Sequence, residues 1–185
     1  MKTNTIFEGA ATALVTPLTK EGIDYTAFGK LIDWQIDSGI DALVICGTTG
    51  ESSTLTDEEH RQAIRFAVER ANKRVPIIAG TGSNDTAHAI ALSRQAQEAG
   101  ADALLVVSPY YNKATPEGLV AHYTSIAHAV DIPVIIYNVP SRTGVDIPVS
   151  VYKRLSTIPN IIGVNAGAGF FGLLFSILIP GSAPM

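Results

Sequence analysis

Three short segments of the sequence carry hydroxyl, phenol and guanidinium groups suited to acid–base chemistry on a small anion. Residues 47–51 read GTTGE, residues 108–112 read SPYYN, and residues 137–144 read YNVPSRTG. Two adjacent threonines flanked by glycines allow backbone N–H groups and hydroxyls to surround an anion. A tyrosine phenol both donates and accepts hydrogen bonds, which suits proton transfer, and an arginine guanidinium pairs well with a carboxylate.

Each segment taken alone also has an ordinary structural interpretation. The pair Thr48 and Thr49 suits a helix-capping loop, the two adjacent tyrosines suit packing, and a loop arginine such as Arg142 is usually solvated. The shared position of the three segments favours chemistry, because each one directly follows a predicted buried strand.

The elements that position these segments are short apolar runs alternating with longer amphipathic stretches. The runs are rich in β-branched residues and are continuous rather than alternating, which is typical of strands buried on both faces. The predicted strands are residues 11–16, 42–46, 76–79, 103–107, 133–137 and 161–164. The predicted helices are residues 25–37, 57–71, 86–99, 116–130 and 148–155.

Capping signals and an internal repeat support this assignment. Thr56 followed by Asp57, Glu58 and Glu59 predicts a capping box and a favourable helix dipole. Residues 38–43 (SGIDAL) recur as residues 99–104 (AGADAL), two strand–helix units further along. The repeat predicts successive βαβ units.

Repeated βαβ units form either an open doubly wound sheet or a (β/α)8 barrel. No G-x-G-x-x-G segment follows the first predicted strand, and the sequence contains no P-loop. The predicted fold class is therefore α/β, an incomplete TIM (β/α)8 barrel with about six strands and five helices. In such a barrel the reactive groups follow the carboxyl ends of the strands, where the three segments lie.

Composition predicts one globular domain and argues against a nucleic-acid partner. The chain has 185 residues, 46% of them hydrophobic, and a net charge of -4, which disfavours nucleic acid. The single cysteine, Cys46, lies in an apolar run, so we expect a buried, inert thiol and a reducing, cytoplasmic location. No signal peptide is predicted.

The sequence changes character near its end. Arg154 is the last charged residue, and residues 170–179 form an apolar run too short to span a bilayer. We therefore divide the chain into a partial barrel, residues 1–164, and an apolar tail, residues 165–185. A membrane anchor is disfavoured, and we expect a frameshift or a broken gene.

A barrel with six strands leaves the first and sixth as edges. We expect both edges to be unpaired, the inner side-chain layers to be partly open to water, and the solubility to be low.

Together with Val15, Thr16 and Pro17, the three segments resemble the 4-hydroxy-tetrahydrodipicolinate (dihydrodipicolinate) synthase family. The resemblance runs from about Phe7 to Val164, and PSRTG at residues 140–144 resembles this synthase rather than N-acetylneuraminate lyase. It implies a lyase of lysine (diaminopimelate) biosynthesis. Pyruvate would form an imine with a lysine, become an enamine and attack aspartate semialdehyde. No metal or organic cofactor is implied.

The resemblance also assigns roles by position. Tyr137, Thr48 and Tyr111 would form a proton relay. Thr49 would hold the pyruvate carboxylate, and Arg142 would guide the carboxylate of the semialdehyde. In this family the second tyrosine of the pair, here Tyr111, reaches a neighbouring subunit's site, which implies a homo-oligomer.

Asn165 occupies the expected position of the imine-forming lysine. A carboxamide is not a nucleophile, and losing a covalent nucleophile costs on the order of a millionfold in rate, or roughly 8 kcal/mol. Lys113 is the nearest candidate substitute, but an exposed loop lysine is protonated. We expect an inactive chain. The alternatives are a non-catalytic remnant that binds keto acids, or another pyruvate-dependent aldolase.

A regulatory lysine site is implied by the same resemblance. Ser52, His60, Asn84 and Tyr110 match positions that line this site in lysine-inhibited members. His88 stands where those members carry a carboxylate, so we expect weak or absent feedback inhibition.

Overall fold

Strand–helix units build a parallel sheet that curves into part of a barrel. The computed structural model describes residues 5–167 and the backbone of residues 175–176. A single 3-10 turn, Ser52–Thr54, lies between the second barrel strand and its helix. In chain order the elements are β1 (Ala11–Ala13), β2 (Leu18–Thr19), β3 (Gly22–Ile23), α1 (Tyr25–Asp37), β4 (Ala42–Ile45), α2 (Asp57–Ala71), β5 (Ile77–Gly80), α3 (Thr86–Glu98), β6 (Ala103–Val107), α4 (Pro116–Ala127), β7 (Val134–Asn138), α5 (Pro140–Thr143), α6 (Val149–Leu155), β8 (Ile161–Ala166) and β9 (Phe175–Ser176).

The sheet order is β1-β4-β5-β6-β7-β8-β9, and neighbouring strands from β1 to β8 run parallel. Because strands that follow one another along the sheet are joined through helices, the sheet has the incomplete TIM-barrel topology predicted from the sequence. The six parallel strands and the five predicted helices are confirmed. The capping box is also present: the hydroxyl of Thr56 accepts the N–H of Glu59, and the Glu59 carboxylate accepts the N–H of Thr56.

Several boundaries and two elements differ from the prediction. The first strand ends at Ala13 rather than at residue 16, although the N–H of Leu14 still donates to Val44 at 3.0 Å. The hairpin of β2 and β3 and the one-turn helix α5 were not predicted. Both are too short to produce a periodic hydrophobic pattern.

Two apolar clusters lie on opposite faces of the sheet. The larger one fills the space between the sheet and the helices. The smaller one lies on the inner face and contains Ala42, Val44, Ile78 and Ala103, each 0% exposed. The inner layer is therefore closed to water at these residues, whereas Ala11, Ala13 and Ile162 on the same face are only partly buried, as a partly open layer predicts. Ile6 and Phe7 from the amino-terminal segment pack against the inner cluster, which accounts for part of its burial.

One of the two edges of the sheet differs from expectation, and the other, at β1, agrees with it within the described residues. Val164 pairs with Ser176 and Asn165 with Phe175, so the sixth barrel strand is not an unpaired edge there. Backbone N–H and C=O groups at an edge favour such pairing. On its outer side β1 pairs with no described strand. The rest of the predicted tail lies outside the described residues. Within the described part, no helix is long and apolar enough to cross a membrane.

His122 makes the stability of this fold sensitive to acid. Burial lowers the pKa of His122 to about 4, whereas the pKa in an unfolded chain is about 6.5. Its Nδ1 lies 2.8 Å from the Thr86 hydroxyl, and its Nε2 has no partner among the described groups. The contribution of the neutral ring is present above about pH 6.5 and is lost as the pH falls toward 4.

We predict that His122→Gln reduces the acid-induced loss in free energy of unfolding between pH 7 and 4.5 by on the order of 2 kcal/mol. Urea unfolding at both pH values measures this loss. His128→Gln, an exposed histidine at the end of α4, serves as the control and should retain the wild-type loss. An unchanged loss in His122→Gln would contradict the prediction.

Candidate active site

The carboxyl ends of β4, β5, β6 and β7 surround a cavity of about 330 Å³. Thr48, Tyr110 and Arg142, one residue from each of the three sequence segments, line this cavity. The structure therefore brings the three segments together, as the strand assignment predicted. Thr49 and Tyr137 belong to the same end of the sheet but are not part of the cavity wall.

Backbone hydrogen bonds shape the turn of residues 47–51. The N–H of Gly50 donates to Gly47 and the N–H of Glu51 donates to Thr48, each at 3.1 Å. Thr48 and Thr49 are exposed, and neither N–H group donates a hydrogen bond to a described residue. Both N–H groups and both hydroxyls are therefore available to an anion.

Glycine at the end of β5 allows the turn to approach the sheet. A Cβ atom at Gly80 would lie 2.2 Å from the carbonyl oxygen of Cys46. Cys46 itself has a positive φ of 55°, which redirects the chain directly after β4. Its thiol is 1% exposed, and burial raises the pKa of the Cys46 thiol to about 12. The predicted burial of the thiol is confirmed, and the raised pKa agrees with the expectation that it is inert.

Tyr137 and Asn165 are direct neighbours in the ladder between β7 and β8. Paired residues of parallel strands point to the same face, and Tyr137 packs against the inner cluster. A register shift makes this pairing possible, because Val134 pairs with Ile161 whereas the next residue, Ile135, pairs with Gly163. Asn165 is 2% exposed. Asn165 is thus the ladder neighbour of Tyr137, at the position where the resemblance requires an amine.

Arg142 is presented by the one-turn helix α5. Its N–H donates to the carbonyl of Val139 at 2.9 Å, and the Thr143 hydroxyl donates to the same carbonyl at 3.2 Å. In the described part of the chain no carboxylate pairs with Arg142. The guanidinium is therefore available to a ligand carboxylate. Pro140 at the first position and Gly144 after the last, with φ of 70°, were the sequence signals for α5.

Tyr111 is not brought to the cavity by this chain. Its side chain is 90% exposed and its φ is 68°, while the N–H of Asn112 donates to the Tyr110 carbonyl at 2.8 Å. An exposed aromatic on a constrained loop supports a role in a neighbouring subunit's site, which remains a prediction. Lys113 is exposed and lies in the same loop.

The cavity wall also contains Ser52, His60, His88 and Tyr110, four of the five residues expected at a regulatory site. Asn84, the fifth, is not part of the wall. The Nε2 of His60 lies 2.8 Å from the Gly80 carbonyl and so donates to it. Its Nδ1 is then an acceptor, without a partner among the described residues. Burial lowers the pKa of His60.

The sequence did not indicate the two cavity residues that contact the His88 ring. Asp57, assigned only a helix-dipole role, has its Oδ1 3.0 Å from the Nε2 of His88. Ser83 lies on the other side of the ring, with its hydroxyl 3.3 Å from the Nδ1. No sequence pattern links these positions, because Asp57 and His88 come from different helices. His88 is thus paired within the chain.

The chain matches the model of the dihydrodipicolinate synthetase family over residues 6–179. This chain belongs to that family. The 4-hydroxy-tetrahydrodipicolinate synthase of Thermoanaerobacter sp. (strain X514) is 56% identical over 165 residues, which are 89% of this chain and 56% of that relative. The chain therefore spans little more than half the length of the curated relatives that it matches.

Solved structures of family members agree with the partial barrel. The dihydrodipicolinate synthase of Aquifex aeolicus is 50% identical with a TM-score of 0.85, over 89% of this chain and 56% of that one. A chloride-inhibited synthase from Acinetobacter baumannii, complexed with pyruvate, is 52% identical with a TM-score of 0.86, over 89% and 57%. The synthase of Cyanidioschyzon merolae with lysine bound is 38% identical with a TM-score of 0.82, over 86% and 55%.

We predict that the chain binds free lysine weakly or not at all at sub-millimolar concentrations, because Asp57 is already paired with the His88 ring. His88→Glu supplies a carboxylate and should strengthen lysine binding roughly tenfold, or about 1.4 kcal/mol. Isothermal titration calorimetry measures this. His128→Glu adds the same charge outside the cavity and should change nothing. Sub-millimolar lysine binding by the unaltered chain would contradict the prediction.

Proposed function

We propose that the chain is a 4-hydroxy-tetrahydrodipicolinate synthase-type lyase that binds pyruvate but cannot complete the condensation with aspartate semialdehyde. The observation that carries the proposal is the pairing of Asn165 with Tyr137, at the open end of a sheet whose loops carry the threonine pair and Arg142. The site has the groups for binding and proton transfer and lacks the amine for covalent chemistry.

Pyruvate binding would depend on the turn of residues 47–51. The free N–H groups and hydroxyls of Thr48 and Thr49 would hold the carboxylate, with Thr49 as the main contact. Thr48 and Tyr137 would relay protons at the carbonyl end, together with Tyr111 of a neighbouring subunit. Arg142, without an ion-pair partner in the described chain, would guide the carboxylate of the semialdehyde.

The missing step is imine formation. An amine attacks the ketone carbon of pyruvate, its protons pass to the relay, and water leaves as the carbon–nitrogen double bond forms. The nitrogen lone pair of Asn165 is delocalised into its carbonyl group, so this nitrogen does not attack. At about 1.4 kcal/mol per decade, a millionfold loss corresponds to roughly 8 kcal/mol of barrier.

A second candidate function is keto-acid binding without any catalytic role. The exposed N–H groups of the threonine pair and the unpaired guanidinium favour it, because neither depends on Asn165. N-acetylneuraminate lyase chemistry is disfavoured by the PSRTG segment and by the 56% identity with a synthase. The proposed enzyme is cytoplasmic and forms a homo-oligomer. Its chemistry needs no metal and no organic cofactor.

We predict that Asn165→Lys gains a covalent pyruvate adduct that the unaltered chain does not form. Borohydride reduces an imine to a stable amine, so mass spectrometry after reduction detects the adduct directly. Ala166→Lys is the matched control, since alternation along β8 directs the neighbouring side chain to the other face.

An adduct on the unaltered chain would contradict the inactivity of Asn165. An Asn165→Lys chain that is folded by circular dichroism but remains unmodified would contradict the assignment of this position.

A further inference from the structure

The turn that presents the threonine pair is attached by one buried side chain to the segment that follows β1. The hydroxyl of Thr16 donates to the carbonyl of Gly50 at 2.8 Å, across a sequence separation of 34 residues. Thr16 is 5% exposed. Within the described chain it is the one side chain that hydrogen-bonds the backbone of residues 47–50.

The turn packs closely against the segment that follows β1. A Cβ atom at Gly50 would lie 3.2 Å from the Thr16 hydroxyl oxygen and 3.1 Å from the carbonyl oxygen of Leu14. It would also lie 3.2 Å from the backbone nitrogen of Cys46. Glycine therefore allows the turn to approach the end of β1 closely enough for the Thr16 hydrogen bond to form.

The hydrogen bond holds the carboxyl end of the turn. The Gly50 carbonyl belongs to the peptide between Gly50 and Glu51, and Glu51 has a left-handed φ of 56°. The turn is closed by two backbone hydrogen bonds, from the N–H of Gly50 to Gly47 and from the N–H of Glu51 to Thr48. Because these bonds tie Gly50 and Glu51 to the start of the turn, a displacement of Gly50 would also move the backbone of Thr48 and Thr49.

We propose that Thr16 is a positioning residue for the anion-binding turn. It touches no ligand, and it holds the Gly50 carbonyl so that the threonine N–H groups converge on a carboxylate. The inference rests on the proposed keto-acid binding by this turn. Without the hydroxyl, the buried carbonyl has no donor and the turn is free to rotate away from the convergent geometry.

Three substitutions separate positioning from general stability. Thr16→Val keeps the side-chain shape and removes the donor, whereas Thr16→Ser keeps the donor and removes a methyl group. Thr81→Val is the matched control, because the Thr81 hydroxyl is also buried and lies 3.0 Å from the Ser93 hydroxyl, on the helix side of the sheet. All variants are compared at a temperature at which circular dichroism shows each of them to be folded.

The measurement is the pyruvate dissociation constant by calorimetric or NMR titration. We expect Thr16→Val to weaken binding about tenfold, Thr16→Ser to stay within about threefold of the unaltered chain, and Thr81→Val to lower the melting temperature without weakening binding. Unchanged affinity in Thr16→Val, or an equal loss in Thr81→Val, would overturn the positioning role alone. An unaltered chain without saturable pyruvate binding would overturn the proposed function and this inference with it.

Discussion

The ladder between β7 and β8 determines which side chains meet beside the cavity, since neither Tyr137 nor Asn165 belongs to the cavity wall. A single register shift near Val134 aligns Asn165 with Tyr137, and both then face the inside of the partial barrel. A register shift of one residue moves every side chain of a strand to the opposite face of the sheet. Which side chain of β8 lies next to Tyr137 is therefore decided by the backbone pairing of the two strands. The proposed loss of activity rests on that pair, because the carboxamide of Asn165, the ladder neighbour of Tyr137, does not attack a carbonyl group.

Close backbone packing determines the shape of the rest of the site. Gly80 and Gly82 at the end of β5 allow the chain after β4 and the backbone of Val107 to approach more closely than any larger residue would permit. Gly50 does the same where the threonine turn meets β1. The ion pairs Arg61–Glu58 and Arg154–Glu117 lie on the exposed helix surfaces and contribute little to this geometry. The binding geometry therefore depends on glycines and backbone hydrogen bonds.

The sequence predicted the elements that repeat and missed those that do not. Continuous β-branched runs and the Thr56–Glu59 capping box gave the strands and α2 correctly, because each has a local physical signal. The short helix α5 lacks such periodicity, and its proline and glycine signals were recognised only in the structure. The contact between His88 and Asp57 joins residues that are 31 positions apart in the chain. Such long-range contacts follow from the assembled sheet and leave no local pattern.

The proposed inactivity of the chain depends on the absence of an amine at position 165, beside Tyr137. The most direct test supplies purified chain with both pyruvate and aspartate semialdehyde and follows formation of the cyclic product over time, with the same mixture lacking protein as the reference. We expect product formation to stay at the uncatalysed level. Steady turnover at an ordinary enzymatic rate, on the order of 1 per second or faster, would contradict the account.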